Sequence, residues 1–242
     1  MKRVAKGVFI IFGILTVYLI WTVLNEATKN TKYGSFGSIV PEDYPIMGID
    51  VSRYQGEINW NLVRDMRSGD DSIQFVFIKA TEGVSLEDPM KRTNAYGARG
   101  ADIDYGFYHF YIPSLPAWKQ AQFFCEEIGG YNFDLKPVID IEADTDMSGD
   151  DLRDSVRVFL NFVENRLGVR PIIYTYSKMY ESKLRMLPEL FWIAKYSREC
   201  RAMEEDEEVI CWQFSESGTV DGIAEKVDLN VAKENFFELI SR

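Results

Sequence analysis

The stretch Lys136–Asp146, KPVIDIEADTD, decides how the chain is read. Pro137, Val138 and Ile139 run straight into Asp140, and Glu142, Asp144 and Asp146 follow. An apolar run is driven inside, whereas a carboxylate resists leaving water. The two meet without a break where a buried strand ends at a solvated cleft. Side chains alternate along a strand, so Asp140 and Glu142 share one face.

Working outward, seven more β-rich runs resemble this one. They are IMGIDV (46–51), IQFVFIKA (73–80), DYGFYHFY (104–111), RPIIYTY (170–176), LFWIAKY (190–196), VICWQF (209–214) and KVDLN (226–230). Most are near-continuous apolar segments, the pattern of strands covered on both faces in a parallel sheet. Helical periodicity fills several gaps. Residues 59–68 place Trp60, Val63 and Met66 on one face, with Asn59 as cap. Residues 90–101 form a second helix, and 114–130 a third, capped by Ser114 and closed by Gly129 and Gly130. Residues 148–168 give the clearest pattern. Ser148 is the cap, acids fill the first turn, Leu152, Val156, Phe159, Leu160 and Val163 make the stripe, and Gly168 stops it. Alternating strands and crossovers predict a (β/α) fold, and eight strands predict a closed barrel.

In such barrels the active site lies at the carboxyl ends of the strands. Those ends carry Asp50, Lys79 with Glu82 beyond, His109, Asp140 with Glu142, Tyr174 and Tyr176, Lys195, Gln213 and Asp228. Several carboxyl groups around an aromatic cleft suit glycoside hydrolysis. One acid protonates the leaving oxygen while a second group stabilises the cationic anomeric carbon. Crowding the acids separates their pKa values and keeps one protonated near neutrality. Other chemistries fit less well. His109 is the only histidine, and there is no G-x-S-x-G, P-loop or G-x-G-x-x-G. DTDMSG (144–149) starts like a calcium loop, but its twelfth position is Ser155 rather than Glu, so no metal or other cofactor is expected.

The charge is −11 over 242 residues, but residues 1–40 carry a net +4 and the remainder about −15. An acidic domain repels phosphates, so nucleic acid is not an expected partner. Lys2, Arg3 and Lys6 precede an uncharged run, Val8–Leu24, at the short limit of a spanning helix. The expected layout is a signal-anchor over 1–25, a Gly/Ser/Asn-containing linker over 26–45 and a catalytic barrel over 46–242, exported and membrane-held, or secreted if the signal is cleaved. Cys200 and Cys211 could pair in an exported protein, leaving Cys125 over.

The motifs MGIDVSRYQGEINW, FVFIKATEG, DYGFYHFY, KPVIDIE, PIIYTY, FWIAKY, CWQF and KVDLN, in that order, resemble glycoside hydrolase family 25, the Chalaropsis-type lysozymes (N-acetylmuramidases). The resemblance implies an irregular (β/α) barrel of eight strands with fewer than eight helices. It also implies cleavage of the β-1,4 bond between N-acetylmuramic acid and N-acetylglucosamine in peptidoglycan. Carried over residue by residue, it makes Glu142 the general acid, Asp140 the group that orients the substrate acetamide, and Asp50 a third catalytic acid. By the same resemblance Asp228 lines the same pocket and binds the sugar; beside the resemblance, the rings of Tyr108, Tyr174 and Trp212 are taken as candidate substrate-binding residues. A direct carboxylate nucleophile, Asp50 or Asp228, is the rival mechanism. A glycan-binding barrel without activity and a hydrolase of another N-acetylated glycan are the alternative functions. Lys226-Val227 replaces the family's usual Gly before VD, and SRECRAMEEDEEV (197–209) is read as a charged, solvated insertion.

Overall fold

A computed structural model describes residues 32–33, 36–37, 39–41, 44–69, 71–143, 145–197 and 199–242. The hydrophobic helix expected over 1–25 lies outside the described residues. Among those described, no helix is long and apolar enough to cross a membrane.

Eight strands close into a barrel. They are β1 (Ile46–Val51), β2 (Ile73–Glu82), β3 (Asp104–Phe110), β4 (Val138–Asp140), β5 (Ile172–Tyr176), β6 (Phe191–Ala194), β7 (Val209–Gly218) and β8 (Val227–Ala232). Neighbours follow chain order, and β1 pairs with both β2 and β8 to close the ring. Pairings from β1 through β7 are parallel, whereas β8 is antiparallel to β7 and β1. The expected parallel arrangement is therefore corrected at β8. Only Thr219–Lys226 separates β7 from β8, which is too short for a parallel crossover. Asp228 consequently reaches the mouth from the start of its strand, opposite Asp50 in register.

Seven α-helices lie among the described residues: α1 (Trp60–Asp65), α2 (Lys91–Gly100), α3 (Ala117–Ile128), α4 (Gly149–Leu167), α5 (Ser177–Met179), α6 (Arg201–Glu205) and α7 (Phe236–Ile240). α4 follows its sequence signals closely. The Ser148 side chain accepts from Asp151 N, the predicted stripe is buried, and Gly168 ends the helix at φ 74°. Asn59 caps α1 as expected, but α3 starts after Pro116 with no side-chain cap, so Ser114 plays no such role. Segment 197–209 is more than a solvated insertion. Met203 of α6 is buried, and Asp206 binds the Tyr180 hydroxyl and Arg185.

Packing extends upstream of Ile46. Phe36 is fully buried and its carbonyl accepts from Thr219 N, so part of the expected linker packs on the barrel. The three cysteines are free and buried. Cys211 belongs to the barrel-interior cluster and Cys200 to the outer layer, so the suggested pair does not form.

The barrel wall separates two apolar layers. Outside it, Ile49, Val76, Phe107, Ile139 and Ile173 pack under the helices. Inside it, Phe77 stacks on Trp192 at 4.9 Å, and Phe75 meets Phe236 of α7 at 4.6 Å, which closes the bottom. Gly48 is required beside that plug, because a Cβ there would sit 2.4 Å from the Phe75 ring. The interior is thus solid up to Trp192 and Tyr174, and the cleft begins above them.

Candidate active site

Strand alternation sorts the predicted residues. Asp50, Asp140, Tyr174, Gln213 and Asp228 all line a cavity of about 260 Å³ above the aromatic floor, with Tyr108 and Glu142. β4 stops at Asp140, yet the chain stays extended. Ile141 N donates to Tyr174 O at 2.9 Å, and the Thr175 hydroxyl donates to Ile141 O at 2.6 Å. That pins Ile141 outward and leaves Glu142 on the cleft side with Asp140. A second lobe of about 390 Å³ shares Asp50, Tyr108, Asp140, Glu142 and Asp228 and adds Tyr54, Lys79 and Glu82. The acids therefore stand where the two lobes meet.

The alternation also removes two candidates. Trp212 points away from the cleft. It is buried in the outer layer, donates its indole N–H to Lys195 O at 2.8 Å and packs edge-on against Tyr44. Its place in the cleft is taken by Trp192, which lines the cavity floor. His109, next to Tyr108, likewise faces outward. Thr81 Oγ1 is 2.7 Å from its Nδ1 and Gln120 Oε1 is 3.2 Å from its Nε2, between the Phe124 and Phe159 rings. Burial lowers its pKa to about 3 and keeps the ring neutral. Lys79 pairs with Glu82 at 2.7 Å while lining the second lobe. Tyr196 and Glu216, missed by the sequence reading, also line the main cavity.

Electrostatics follow from crowding. Asp140 is buried, and desolvation first, then the Glu142 charge, push its carboxyl well above the usual range, with Lys79 opposing. Among the described residues, its buried Oδ1 has no hydrogen-bond partner. Glu142 keeps one side in solvent. Its carboxyl is raised by desolvation and by Asp50, again against Lys79. Asp228 is pushed up to about 9 by desolvation, then by the Asp50 charge and a hydrogen bond to Asp50. Asp50 is also raised by burial, which hydrogen bonds from Asn230, Gln213 and Asp228 offset in part. The cleft thus holds carboxyl groups able to carry protons at neutral pH beside ones able to carry charge.

A barrel mouth with that property, floored by aromatic rings, defines a glycosidase-type enzyme. The family model for glycosyl hydrolases family 25 matches residues 49–223, and the chain belongs to that family and is a glycoside hydrolase. It is 37% identical over 210 residues to the protein YegX of Escherichia coli (strain CFT073), covering 85% of this chain and 76% of that one. It is 32% identical over 191 residues to the autolytic lysozyme of Clostridium acetobutylicum, covering 77% of this chain and 56% of that protein. The solved family 25 glycosyl hydrolase of Bacillus anthracis matches with a TM-score of 0.71 at 26% identity, over 81% of this chain and 94% of that one.

Proposed function

We propose that the chain is an N-acetylmuramidase that cuts the β-1,4 bond between N-acetylmuramic acid and N-acetylglucosamine in peptidoglycan. The observation that carries the mechanism is the buried, unpartnered Oδ1 of Asp140 beside the solvent-facing Glu142. An acceptor left without a partner in a buried site costs free energy that a substrate donor recovers. The N–H of a 2-acetamido group is such a donor.

In this reading Glu142 protonates the glycosidic oxygen as it leaves. Asp140 holds the acetamide N–H, so that the acetamide oxygen attacks the anomeric carbon from the opposite side. The Glu142 carboxylate then takes a proton from water, which opens the intermediate with net retention. Asp50 stabilises the developing positive charge. Asp228, Tyr108 and Tyr174 hold the sugar, and Tyr174 and Trp192 form the apolar floor. General acid catalysis of this kind contributes about 10²–10⁴-fold. The basic residues before the apolar run Val8–Leu24 support export, with the barrel tethered outside the cytoplasm.

Digestion of defined peptidoglycan, followed by mass analysis of borohydride-reduced fragments, tests the assignment. The expected products carry reduced muramic acid. Reduced glucosamine ends in its place would refute the bond assignment.

A further inference from the structure

Behind Asp50 lies a set of hydrogen bonds with a fixed direction. Asp50 Oδ2 accepts from Asn230 Nδ2 at 2.8 Å and from Gln213 Nε2 at 2.9 Å. The Asn230 amide cannot be turned over, because its Oδ1 accepts the Trp192 indole N–H at 2.8 Å, and an indole only donates. The Gln213 Oε1 accepts from two hydroxyls, Tyr174 at 2.9 Å and Tyr196 at 2.8 Å. Asn230, Gln213 and Trp192 are all buried, so water does not compete for these bonds. The amides arrive from β7 and β8, the two strands joined by the antiparallel turn.

We propose that Gln213 and Asn230 are positioning residues that hold Asp50 as the ionised member of its pair with Asp228, leaving the shared proton on Asp228. Two carboxyl groups joined by a hydrogen bond need one proton between them. The amides occupy one Asp50 oxygen with donors, so the proton stays across the gap. The high titration of Asp228 agrees with this geometry. The surroundings make such a device necessary. Asp140 and Glu142 face the pair from the end of β4, Glu216 from β7, and Tyr108, Tyr174 and Tyr196 add hydroxyls. Against them the cleft sets Lys79 of β2, itself paired to Glu82. A buried carboxylate among acids would otherwise take up a proton. Tyr196, 53% exposed at the rim, links this interior clamp to whatever occupies the cleft.

The proposal rests on the reading of Asp50 as a catalytic acid, but its test needs no substrate. Side-chain carboxyl titration by carbon-13 NMR on the full chain should place Asp228 above Asp50. Asn230→Asp replaces a donor by an acceptor, and Gln213→Glu does the same from β7. Either should raise the Asp50 titration by about one to two pH units, the worth of a hydrogen bond to a charged group. On peptidoglycan, kcat should fall by about tenfold or more with little change in KM, and the acid limb of the rate profile should move up with the Asp50 titration. A merely structural role would lower the folded fraction and leave that limb in place. Tyr196→Phe, at an exposed position, removes one donor to Gln213 without opening the core, and should shift the limb the same way by a smaller amount. It carries the test if the buried variants do not fold. Asp50 titrating above Asp228 in the parent, or an unmoved Asp50 in a folded variant, would overturn the proposal. A parent chain that fails to cleave peptidoglycan counts against the proposed function alone, and the titration still decides the clamp.

Discussion

Asp228→Asn should make the protein more stable and less active, and the gain in stability should depend on pH. The folded chain holds a proton on Asp228 up to about pH 9, against an ordinary carboxyl value of 3.8. Across that window the native state binds more protons than the unfolded one, so stability falls as pH rises. A carboxyl group held fully protonated at pH 7 costs about 4 kcal/mol relative to the unfolded chain, at about 1.36 kcal/mol per pH unit. Sharing of the proton with Asp50 and solvent on the open side of the cleft reduce this, to an expected gain of about 1–3 kcal/mol on substitution. Asparagine keeps an N–H donor toward Asp50 and has no proton to take up. Urea unfolding at pH 4.0 and pH 7.5 measures the effect. Parent and variant should nearly coincide at pH 4.0, with the variant ahead at pH 7.5. A variant less stable than the parent at pH 7.5, or equally shifted at both values, would refute this reading of the dyad.

Three other substitutions probe the scaffold and the charge balance. Gly48→Ala drives a Cβ into the Phe75 ring 2.4 Å away, and should cost about 3 kcal/mol, read as a drop in Tm of roughly 6–12 °C. Arg170→Met strands Glu189, which is buried and held at 2.6 and 2.8 Å by the guanidinium, and should cost about 2–3 kcal/mol in chemical denaturation at pH 7. Lys79→Met removes the cation that opposes the raised carboxyls of Asp140 and Glu142, so the alkaline limb of the rate profile should move upward.

Period-two alternation carried much of the site in the sequence. Asp140 and Glu142 were put on one face by counting along the strand, and Asp50 and Tyr174 were picked out at strand ends; all four line the cavity. The same count, applied throughout, would have corrected two assignments. Gln213 facing in forces Trp212 out, and Tyr108 facing in forces His109 out. Direction was harder, because residue pattern does not encode which way a strand runs. The eight residues between β7 and β8 held the signal, being too few for a crossover helix. Tyr196 has the parity of Trp192 and Ala194, so the same count would have found it, whereas Glu216 escaped because β7 is irregular between Gln213 and Gly218, which breaks the count. The amide clamp was invisible for a different reason. Asn230, Gln213 and Trp192 lie on three strands, and only barrel closure brings them to one carboxylate. The α6 segment misled through its charge, since Met203 and the preceding Cys200 are buried among acids.

The account depends on Glu142 being the proton donor at a cleft shared by Asp50, Asp140 and Asp228. Release of soluble fragments from purified peptidoglycan by parent and Glu142→Gln chains, at equal folded concentration by circular dichroism, tests it most directly. The account predicts loss of about 10²–10⁴-fold in rate with the fold and Tm essentially unchanged. A well-folded Glu142→Gln chain that digests the wall at the parent rate would contradict it.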